Sequence, residues 1–162
     1  MDPQVESSCE RVARAIGRIP SGCFIVTASA GGRRNGMLAS WVQQAAFEPL
    51  MVSLALKAGR PLEELIDASG AFVVNVLGEH PKAMFRHFGR GFGPDEDAFA
   101  GLAVRDVPGG VVIEQQIAWF AASVRAKHRA GDHWIYLAEV TCGTCDDPQL
   151  PYVHVRRSGA GY

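Results

Sequence analysis

The sequence predicts a mainly β protein, an antiparallel barrel with a few short helices, in one domain over residues 1–162. Short β-rich segments bounded by Gly, Pro or polar turns recur along the whole chain. Three helical segments interrupt them without the strict alternation that a parallel sheet with crossover helices requires. A length of 162 residues with 48% hydrophobic residues favours one globular domain.

The first third of the chain predicts one helix followed by three strands. Apolar residues recur at helical spacing from Val5 to Ile19, and Gly17 and Pro20 end that helix. The next segments are rich in β-branched and aromatic residues, and Gly-rich or Pro-containing turns separate them. They predict strands at residues 23–29, 37–47 and 50–56.

The rest of the chain predicts two further helices and most of the sheet. Pro61 in the first turn and Gly70 just past the last turn bound a helix over residues 61–69. A second short helix is predicted at residues 81–88, and the Gly- and acid-rich stretch 89–101 predicts a loop. Strands are predicted at residues 71–77, 102–107, 111–113, 117–128, 134–142 and 152–156.

Composition excludes several classes of partner. A formal net charge of −1 argues against nucleic acid or a membrane surface, because both normally require a basic excess. No apolar run approaches the roughly 18 residues of a membrane span. The N-terminus lacks the basic start and apolar stretch of a secretory signal, so we expect a cytoplasmic protein. The four cysteines are then expected to be free thiols.

Local motifs do not support metal, hydrolase or nucleotide-loop chemistry. The sequence contains no G-x-G-x-x-G after a strand, no P-loop, no H-E-x-x-H and no G-x-S-x-G. Cys142 and Cys145 form a C-x-x-C without a second pair or spaced histidines, and we interpret it as structural. Asp95, Glu96 and Asp97 lack EF-hand spacing and are interpreted as a solvated loop, so no metal site is predicted.

Three segments are suited to a ligand. In NGMLASW (residues 35–41), Gly36 and the small residues after it allow a ring or a phosphate to approach the backbone. KAGRP (57–61) places Lys57 and Arg60 at a helix N-terminus, which is an anion site on physical grounds. GDHW (131–134) sets His133 at the mouth of a hairpin. An ordinary turn or a pair of solvated cations explains each segment equally well, so both interpretations stay open.

Seven stretches extend this pattern over nearly the whole chain: IPSGCFIVTA, NGMLASWVQQAAFEP, LALKAGRPLEEL, SGAFVVNVLGE, RHFG, GDHWIYLAEV and VHVRRSGAGY. In their order and spacing they resemble the flavin reductase-like, FMN-binding split-barrel family. The ASWV, EDAFAG and VHVRRSG stretches are most similar to one subgroup. It comprises the flavin reductase module at the C-terminus of cyanobacterial diflavin flavoproteins and stand-alone, flavoredoxin-type relatives. The resemblance implies an antiparallel split β-barrel that forms a homodimer, with a flavin in a cleft near the dimer interface.

The resemblance also implies which residues contact the flavin, expected to be FMN with FAD as the alternative. It implies Gly36, Met37, Leu38, Ala39, Ser40 and Trp41 along the flavin, Leu54, Ala55 and Leu56 beside its ring, and Lys57, Arg60, Pro61, Arg86 and Phe88 near its phosphate. Many members carry Thr at the position of Leu38, and Ser and Thr around the phosphate-loop Arg, where this chain has Gly59 and Pro61. Phosphate binding is therefore expected to depend on Lys57, Arg60 and Arg86 and on main-chain N–H groups.

The same resemblance places Gly131, Asp132 and His133 where a nicotinamide would stack, with His133 as the catalytic residue. It implies an NAD(P)H:FMN oxidoreductase in which NADH or NADPH reduces the flavin and the electrons pass to an acceptor. The flavin carries that chemistry, so no acid–base pair of the protein is required. The alternative is an FMN-binding electron-transfer protein that a redox protein partner reduces instead of NAD(P)H.

Overall fold

The computed structural model describes residues 7–145 and 147–159, and these form antiparallel sheets with three helices. The helices are α1 (Ser8–Gly17), α2 (Pro61–Ser69) and α3 (Lys82–Phe88). The strands are β1 (Ser21–Gly22), β2 (Phe24–Ala30), β3 (Arg33–Ala39), β4 (Val42–Ala46), β5 (Met51–Lys57), β6 (Ala71–Val76), β7 (Val104–Val107), β8 (Gly110–Ile113), β9 (Ala118–Ala130), β10 (His133–Thr144) and β11 (Val153–His154). None of the helices in these two ranges has the length and apolarity needed to cross a membrane.

Seven strands form the main sheet in the order β3-β2-β6-β9-β10-β5-β4, and all neighbours are antiparallel. Side chains from both edges, among them Met37 on β3 and Val42 on β4, pack into the same apolar cluster as Phe72 and Tyr136 from the middle. The sheet is therefore curled around one core, to which α2 contributes Leu62. This confirms the predicted mainly β, antiparallel barrel with a few short helices.

The ends of the first two helices follow from local sequence. Ser7 and Glu10 form a reciprocal capping box at the start of α1, which ends at Gly17 as predicted. Val5 of the predicted helix lies outside the described residues. Helix α2 has Pro61 at its start and ends at Gly70, whose φ of 67° is the left-handed conformation that favours glycine.

The prediction of one strand over residues 37–47 is wrong, because this stretch forms two strands. Strand β3 pairs with β2 and strand β4 pairs with β5, so the two lie at opposite edges of the sheet. The chain crosses from one edge to the other at Ser40 and Trp41. The turn before β3 needs only Gly31 and Gly32, with φ of 57° and 77°, so β3 already begins at Arg33.

The long hairpin predicted near the C-terminus is present, and its turn consists of Gly131 and Asp132. Both strands extend beyond the predicted bounds, because β9 and β10 pair along almost their whole length. The strand predicted at residues 152–156 shortens to β11, which pairs with β1 and not with the main sheet. The small β7–β8 hairpin forms a separate sheet of its own.

Two buried polar side chains attach β8 to the barrel. The Thr27 hydroxyl donates to the Val111 carbonyl (2.7 Å) and accepts the Val111 N–H (2.8 Å). The Asn75 amide donates to the carbonyls of Ile25 and Val111 (both 3.1 Å) and accepts the Ile113 N–H (2.8 Å). Both side chains are fully buried, so these bonds satisfy polar groups that would otherwise be costly to bury.

Candidate functional site

A cavity of about 260 Å³ opens between β3, the loop that joins β5 to α2, and the segment after α3. Ten of the residues assigned to the flavin by resemblance line it: Gly36, Met37, Leu38, Ala39, Ser40, Ala55, Lys57, Arg60, Pro61 and Phe88. Six further residues complete the lining: Asn35, Leu62, Gly89, Arg90, Gly91 and Phe92. The fold thus brings three segments that are distant in sequence to one cavity.

The wall formed by β3 is held against the segment after α3. A Cβ on Gly36 would lie 3.1 Å from the Phe88 ring and 3.3 Å from the Phe99 ring, so only glycine fits without displacing them. The buried Asn35 amide donates to the Gly93 carbonyl (2.9 Å), and its oxygen accepts the Gly36 N–H (2.7 Å). Asn35 therefore connects two walls of the cavity, a role that the sequence analysis did not assign to it.

Three cations border the cavity: Lys57, Arg60 and Arg90. Lys57 ends β5, and Arg60 immediately precedes α2 without making a side-chain capping bond. The Arg90 guanidinium lies 4.1 Å from the centroid of the Phe92 ring and 3.2 Å from a carboxylate oxygen of Glu96. Sequence reasoning did not place Arg90 in the site, and its closeness to the RHFG stretch was the available signal.

Glu96 in turn shapes the loop that carries Arg90. Its carboxylate accepts the Gly93 N–H (2.6 Å) as well as the Arg90 guanidinium. The Gly93 hydrogen bond, and after it the Arg90 hydrogen bond, hold the pKa of Glu96 below its usual range. The acidic loop interpreted as solvated thus also makes local bonds that organise one side of the cavity.

Two backbone N–H groups of the loop between β5 and α2 donate hydrogen bonds that hold the loop in place. The Ala58 N–H donates to the Asp132 carbonyl in the hairpin turn (3.0 Å). The Gly59 N–H donates to a carboxylate oxygen of Glu63 on α2 (2.7 Å), and Gly59 has a φ of 81° that favours glycine. These two N–H groups are therefore already engaged, so charge at this end of the cavity comes mainly from the side chains of Lys57 and Arg60.

Four residues that the resemblance assigned to the flavin do not line the cavity: Leu54, Leu56, Arg86 and Trp41. Leu54 and Leu56 are completely buried in the barrel core, because alternate residues of β5 face opposite sides of the sheet and only Ala55 between them reaches the cavity. Arg86 is exposed on α3 and lies outside the lining. Of the RHFG stretch, Phe88 is the predicted residue that reaches the cavity.

His133 starts β10 and is 8% exposed. It pairs across the sheet with Lys57, and Ile135 pairs with Ala55, so His133 lies on the sheet face that borders the cavity. Its Nδ1 lies 2.7 Å from the Asp132 carboxylate, and this hydrogen bond lowers the pKa of Asp132. Its Nε2 is buried and has no hydrogen-bond partner among residues 7–145 and 147–159.

Trp41 stacks beside His133 instead of lining the main cavity. The two ring centroids are 4.8 Å apart, and the Arg156 guanidinium lies 4.7 Å from the centroid of the Trp41 ring. A second cavity of about 180 Å³ lies here and shares Ser40 and Ala55 with the first. Gly131 and Asp132 form the hairpin turn that contacts the loop between β5 and α2, and they do not line either of these two cavities.

The Cys142 and Cys145 pair is the remaining candidate from sequence. Cys142 and Cys145 are exposed free thiols, and Cys142 lies near the end of β10. Within the described part of the chain, His, Cys, Asp and Glu side chains do not form a group of three or more that could hold a metal ion.

Comparison with known proteins agrees with this architecture. The model of the flavin reductase like domain matches residues 16–161. The chain is 36% identical over 154 residues to putative diflavin flavoprotein A 6 of Nostoc sp. strain PCC 7120, which covers 93% of this chain and 27% of the relative. It is 34% identical over 162 residues to diflavin flavoprotein A 1 of Synechocystis sp. strain PCC 6803, covering 28% of that protein. The chain thus spans about a quarter of the length of these curated relatives.

Solved structures show the same fold. The NADH:FAD oxidoreductase SgcE6 of Streptomyces globisporus C-1027 superimposes with a TM-score of 0.83 at 24% identity, covering 97% of this chain and 95% of that chain. The same protein in complex with NAD and FAD fragments gives a TM-score of 0.81 at 22% identity, covering 97% of this chain and 94% of that chain. By fold and by sequence, the chain belongs to the flavin reductase-like domain family.

Proposed function

We propose that this protein is an NAD(P)H-dependent flavin reductase that binds FMN in the cavity beside β3 and passes its electrons to an acceptor. One observation carries the proposal. A single cavity joins a wall of small and apolar residues to a border of three cations, Lys57, Arg60 and Arg90. The family to which the chain belongs, and the NAD and FAD fragments bound to SgcE6, support the same assignment.

The residues present fit a flavin mononucleotide. Met37, Leu38, Ala39 and Ala55 make this part of the lining apolar, which suits a planar ring. The cations at the other side suit a phosphate, because guanidinium and ammonium groups form charge-assisted hydrogen bonds to its oxygens. The ten cavity-lining residues named by resemblance are thereby proposed as the flavin site.

The size of the cavity favours FMN over FAD. A volume of about 260 Å³ lies just below the usual range of small-molecule sites, which is about 300–1,000 Å³. The cavity is therefore small for a flavin, and the adenosine half of FAD would extend well beyond it. We therefore propose FMN as the flavin, with FAD as the alternative that the binding experiment below distinguishes.

The nicotinamide is proposed to bind at the hairpin turn, beside His133. The buried Nε2 of His133 has no partner within the described ranges, which leaves it free to bond a polar group of a ligand. Asp132 holds Nδ1 and therefore orients the ring, and the Trp41 ring packs beside it at a tilt of 42°. Gly131 and Asp132 contribute the turn that places His133 at the border of the cavity.

A bound flavin would supply the hydride-accepting chemistry. The residues of the protein then have the task of binding and orienting the flavin and the nicotinamide. Lys57, Arg60 and Arg90 attract and hold the phosphate. The β3 wall, fixed by Asn35 and Gly36, sets the plane in which a ring can lie. His133 positions the donor from the hairpin turn, on the sheet face that borders the cavity. Hydride transfer to a flavin needs no proton-transfer pair of the protein.

We also propose a homodimer, because the described surface exposes many large apolar side chains. They are Val12, Ile16, Ile19, Phe47, Leu50, Leu150, Val153 and Val155. An apolar groove of about 750 Å³ lies next to Leu50, between β4, β5, β9 and β10. Scattered apolar residues are normal on a surface, but a large apolar groove such as this one is typical of an interface. Sedimentation velocity is expected to give a dimer and Phe47→Glu a monomer, whereas a monomeric wild type would contradict the proposal.

The reductase proposal is tested by flavin binding and steady-state turnover. Quenching of flavin fluorescence is expected on addition of the protein to FMN, with weaker quenching of FAD. Oxidation of NADH or NADPH at 340 nm is expected only when flavin is present. Protein that binds FMN and is reduced by dithionite, but by neither nicotinamide, would support the electron-transfer alternative. Protein that binds no flavin would refute both.

A further inference from the structure

A partly buried cluster of charged side chains joins strand β9 to helix α2, outside the cavity. The Lys127 ammonium lies 3.0 Å from a carboxylate oxygen of Glu63 and 2.6 Å from one of Asp67. Glu63 and Asp67 are four residues apart and therefore share one face of α2. The Tyr136 hydroxyl also donates to Asp67 (3.0 Å). One cation thus holds two carboxylates in a place where the side chains of Lys127 and Glu63 are only 23% and 19% exposed.

This cluster reaches the cavity through Glu63. One carboxylate oxygen of Glu63 contacts Lys127, and the other accepts the N–H of Gly59. Gly59 lies between Lys57 and Arg60, which both line the cavity. The contacts therefore run without a gap from β9, through Lys127 and Glu63, to the backbone of the loop that presents the two cations.

The electrostatics give Lys127 a second effect on this loop. Glu63 brings a negative charge next to a loop that is proposed to bind a negative phosphate, and two charges this near one another interact even in a partly screened setting. The Lys127 charge offsets that of Glu63. Burial alone lowers the pKa of Lys127, but hydrogen bonds with Asp67, Tyr136 and Glu63 outweigh burial and raise it. Lys127 therefore stays charged throughout the neutral range.

We propose that Lys127 is a positioning residue for the phosphate end of the flavin. It neutralises Glu63 and keeps the Glu63 carboxylate turned to the Gly59 N–H, so that the loop presents Lys57 and Arg60 to the phosphate. This inference rests on the proposed flavin site. On this proposal, the protein prefers phosphorylated over unphosphorylated flavin because of Lys127, a residue outside the cavity.

Riboflavin, which lacks the phosphate, separates this role from a general effect on folding. Lys127→Met is expected to weaken FMN binding about tenfold, equivalent to about 1.4 kcal/mol, and riboflavin binding less than about twofold. The double variant Lys127→Met with Glu63→Gln is expected to regain FMN affinity to within about threefold of wild type, because it removes the uncompensated charge and keeps an acceptor for Gly59. Fluorescence quenching gives both dissociation constants.

Two further variants serve as a replacement for Lys127→Met and as a control. Lys127→Gln keeps hydrogen-bonding groups without the charge, and it is expected to show the same FMN-specific loss if Lys127→Met does not fold. Arg125→Met removes an equal charge from the same strand, where Arg125 pairs with Glu139 and not with α2. It is expected to leave the ratio of FMN to riboflavin affinity within about twofold of wild type, because exposed pairs contribute little.

Each result supports or overturns the inference. Equal losses for FMN and riboflavin, unchanged FMN affinity in Lys127→Met, or a double variant that recovers nothing would overturn it. Wild-type protein that binds both flavins equally would overturn this inference and leave the reductase proposal intact. Wild-type protein that binds neither flavin would instead overturn the reductase proposal, and the inference with it.

Discussion

Replacement of His133 by alanine is expected to slow the reduction of bound FMN by NADH or NADPH and to leave FMN affinity nearly unchanged. His133 borders the cavity face of the sheet but does not line the cavity, so it offers no contact to a flavin held by β3 and the α2 loop. Its buried Nε2 is instead free to bond a ligand that approaches from the hairpin turn. The perturbation therefore separates the two proposed binding events.

The structure sets the size of the effect. His133→Ala removes the whole ring, and of its two nitrogens only Nε2 is available to a ligand, because Nδ1 bonds Asp132. One such hydrogen bond contributes about 0.5–1.5 kcal/mol. If the bond forms fully in the transition state, the rate of reduction falls about 2- to 13-fold. FMN affinity is expected to change less than about twofold, which is below 0.5 kcal/mol.

The assay is anaerobic stopped-flow absorbance at 450 nm with FMN-loaded protein and a series of NADH or NADPH concentrations. His133→Phe is the second variant, because it keeps an aromatic ring beside Trp41 but has no nitrogen that can bond a ligand. Both variants are expected to slow reduction, and the phenylalanine variant should do so without loss of stability. His128→Ala is the control, since His128 is an exposed residue of β9 in the same hairpin.

Two results would refute this reasoning. Unchanged reduction rates in both His133 variants would show that Nε2 has no role toward the nicotinamide. A fall in FMN affinity as large as the fall in rate would place His133 in the flavin site itself, in conflict with its position outside the cavity lining.

Three further predictions follow from other parts of the molecule. Arg60→Ala is expected to weaken FMN binding about tenfold and riboflavin binding less than twofold, because one charge-assisted contact is lost; an equal loss for both flavins in fluorescence titrations would contradict this. Burial, and the neighbouring Asp67 carboxylate, raise the pKa of Tyr136 to about 12, above its ordinary value of about 10, so its stabilising contribution is complete below pH 10 and is lost as the pH rises through about 12. Tyr136→Phe should therefore remove the late phase of tyrosinate absorbance at 295 nm, and an unaltered titration would oppose the assignment. Thr27→Val is expected to lower the free energy of unfolding by about 1–3 kcal/mol, because it leaves the buried Val111 N–H without its partner; calorimetry should show a midpoint lower by about 2–12 °C, and an unchanged midpoint would count against the bond.

Features that depend on neighbouring residues could be predicted from the sequence. The hairpin turn at Gly131 and Asp132 and the helix between Pro61 and Gly70 are examples, because turn and capping chemistry act over a few residues. The placement of Leu54 and Leu56 was also within reach. Successive side chains of β5 point to opposite faces of the sheet, so Leu54 and Leu56 face the core and Ala55 faces the cavity.

Features that depend on distant pairing could not be predicted in the same way. The break at Ser40 and Trp41 arises because β3 and β4 join opposite edges of the sheet, and nothing local marks it. Arg90 enters the site through the loop that Asn35 and Glu96 hold in place. The role of Lys127 likewise depends on contact with a helix about 60 residues earlier in the chain.

The bond from the Ala58 N–H to the Asp132 carbonyl has a thermodynamic consequence. It links the loop between β5 and α2 to the hairpin turn, so a ligand that displaces either one changes the conformational free energy of the other. Linkage then requires the effect to be reciprocal. If bound nicotinamide changes the affinity for FMN by some factor, FMN changes the affinity for nicotinamide by that same factor. Titration of FMN with and without NAD⁺, together with the reverse pair of titrations, measures this coupling twice.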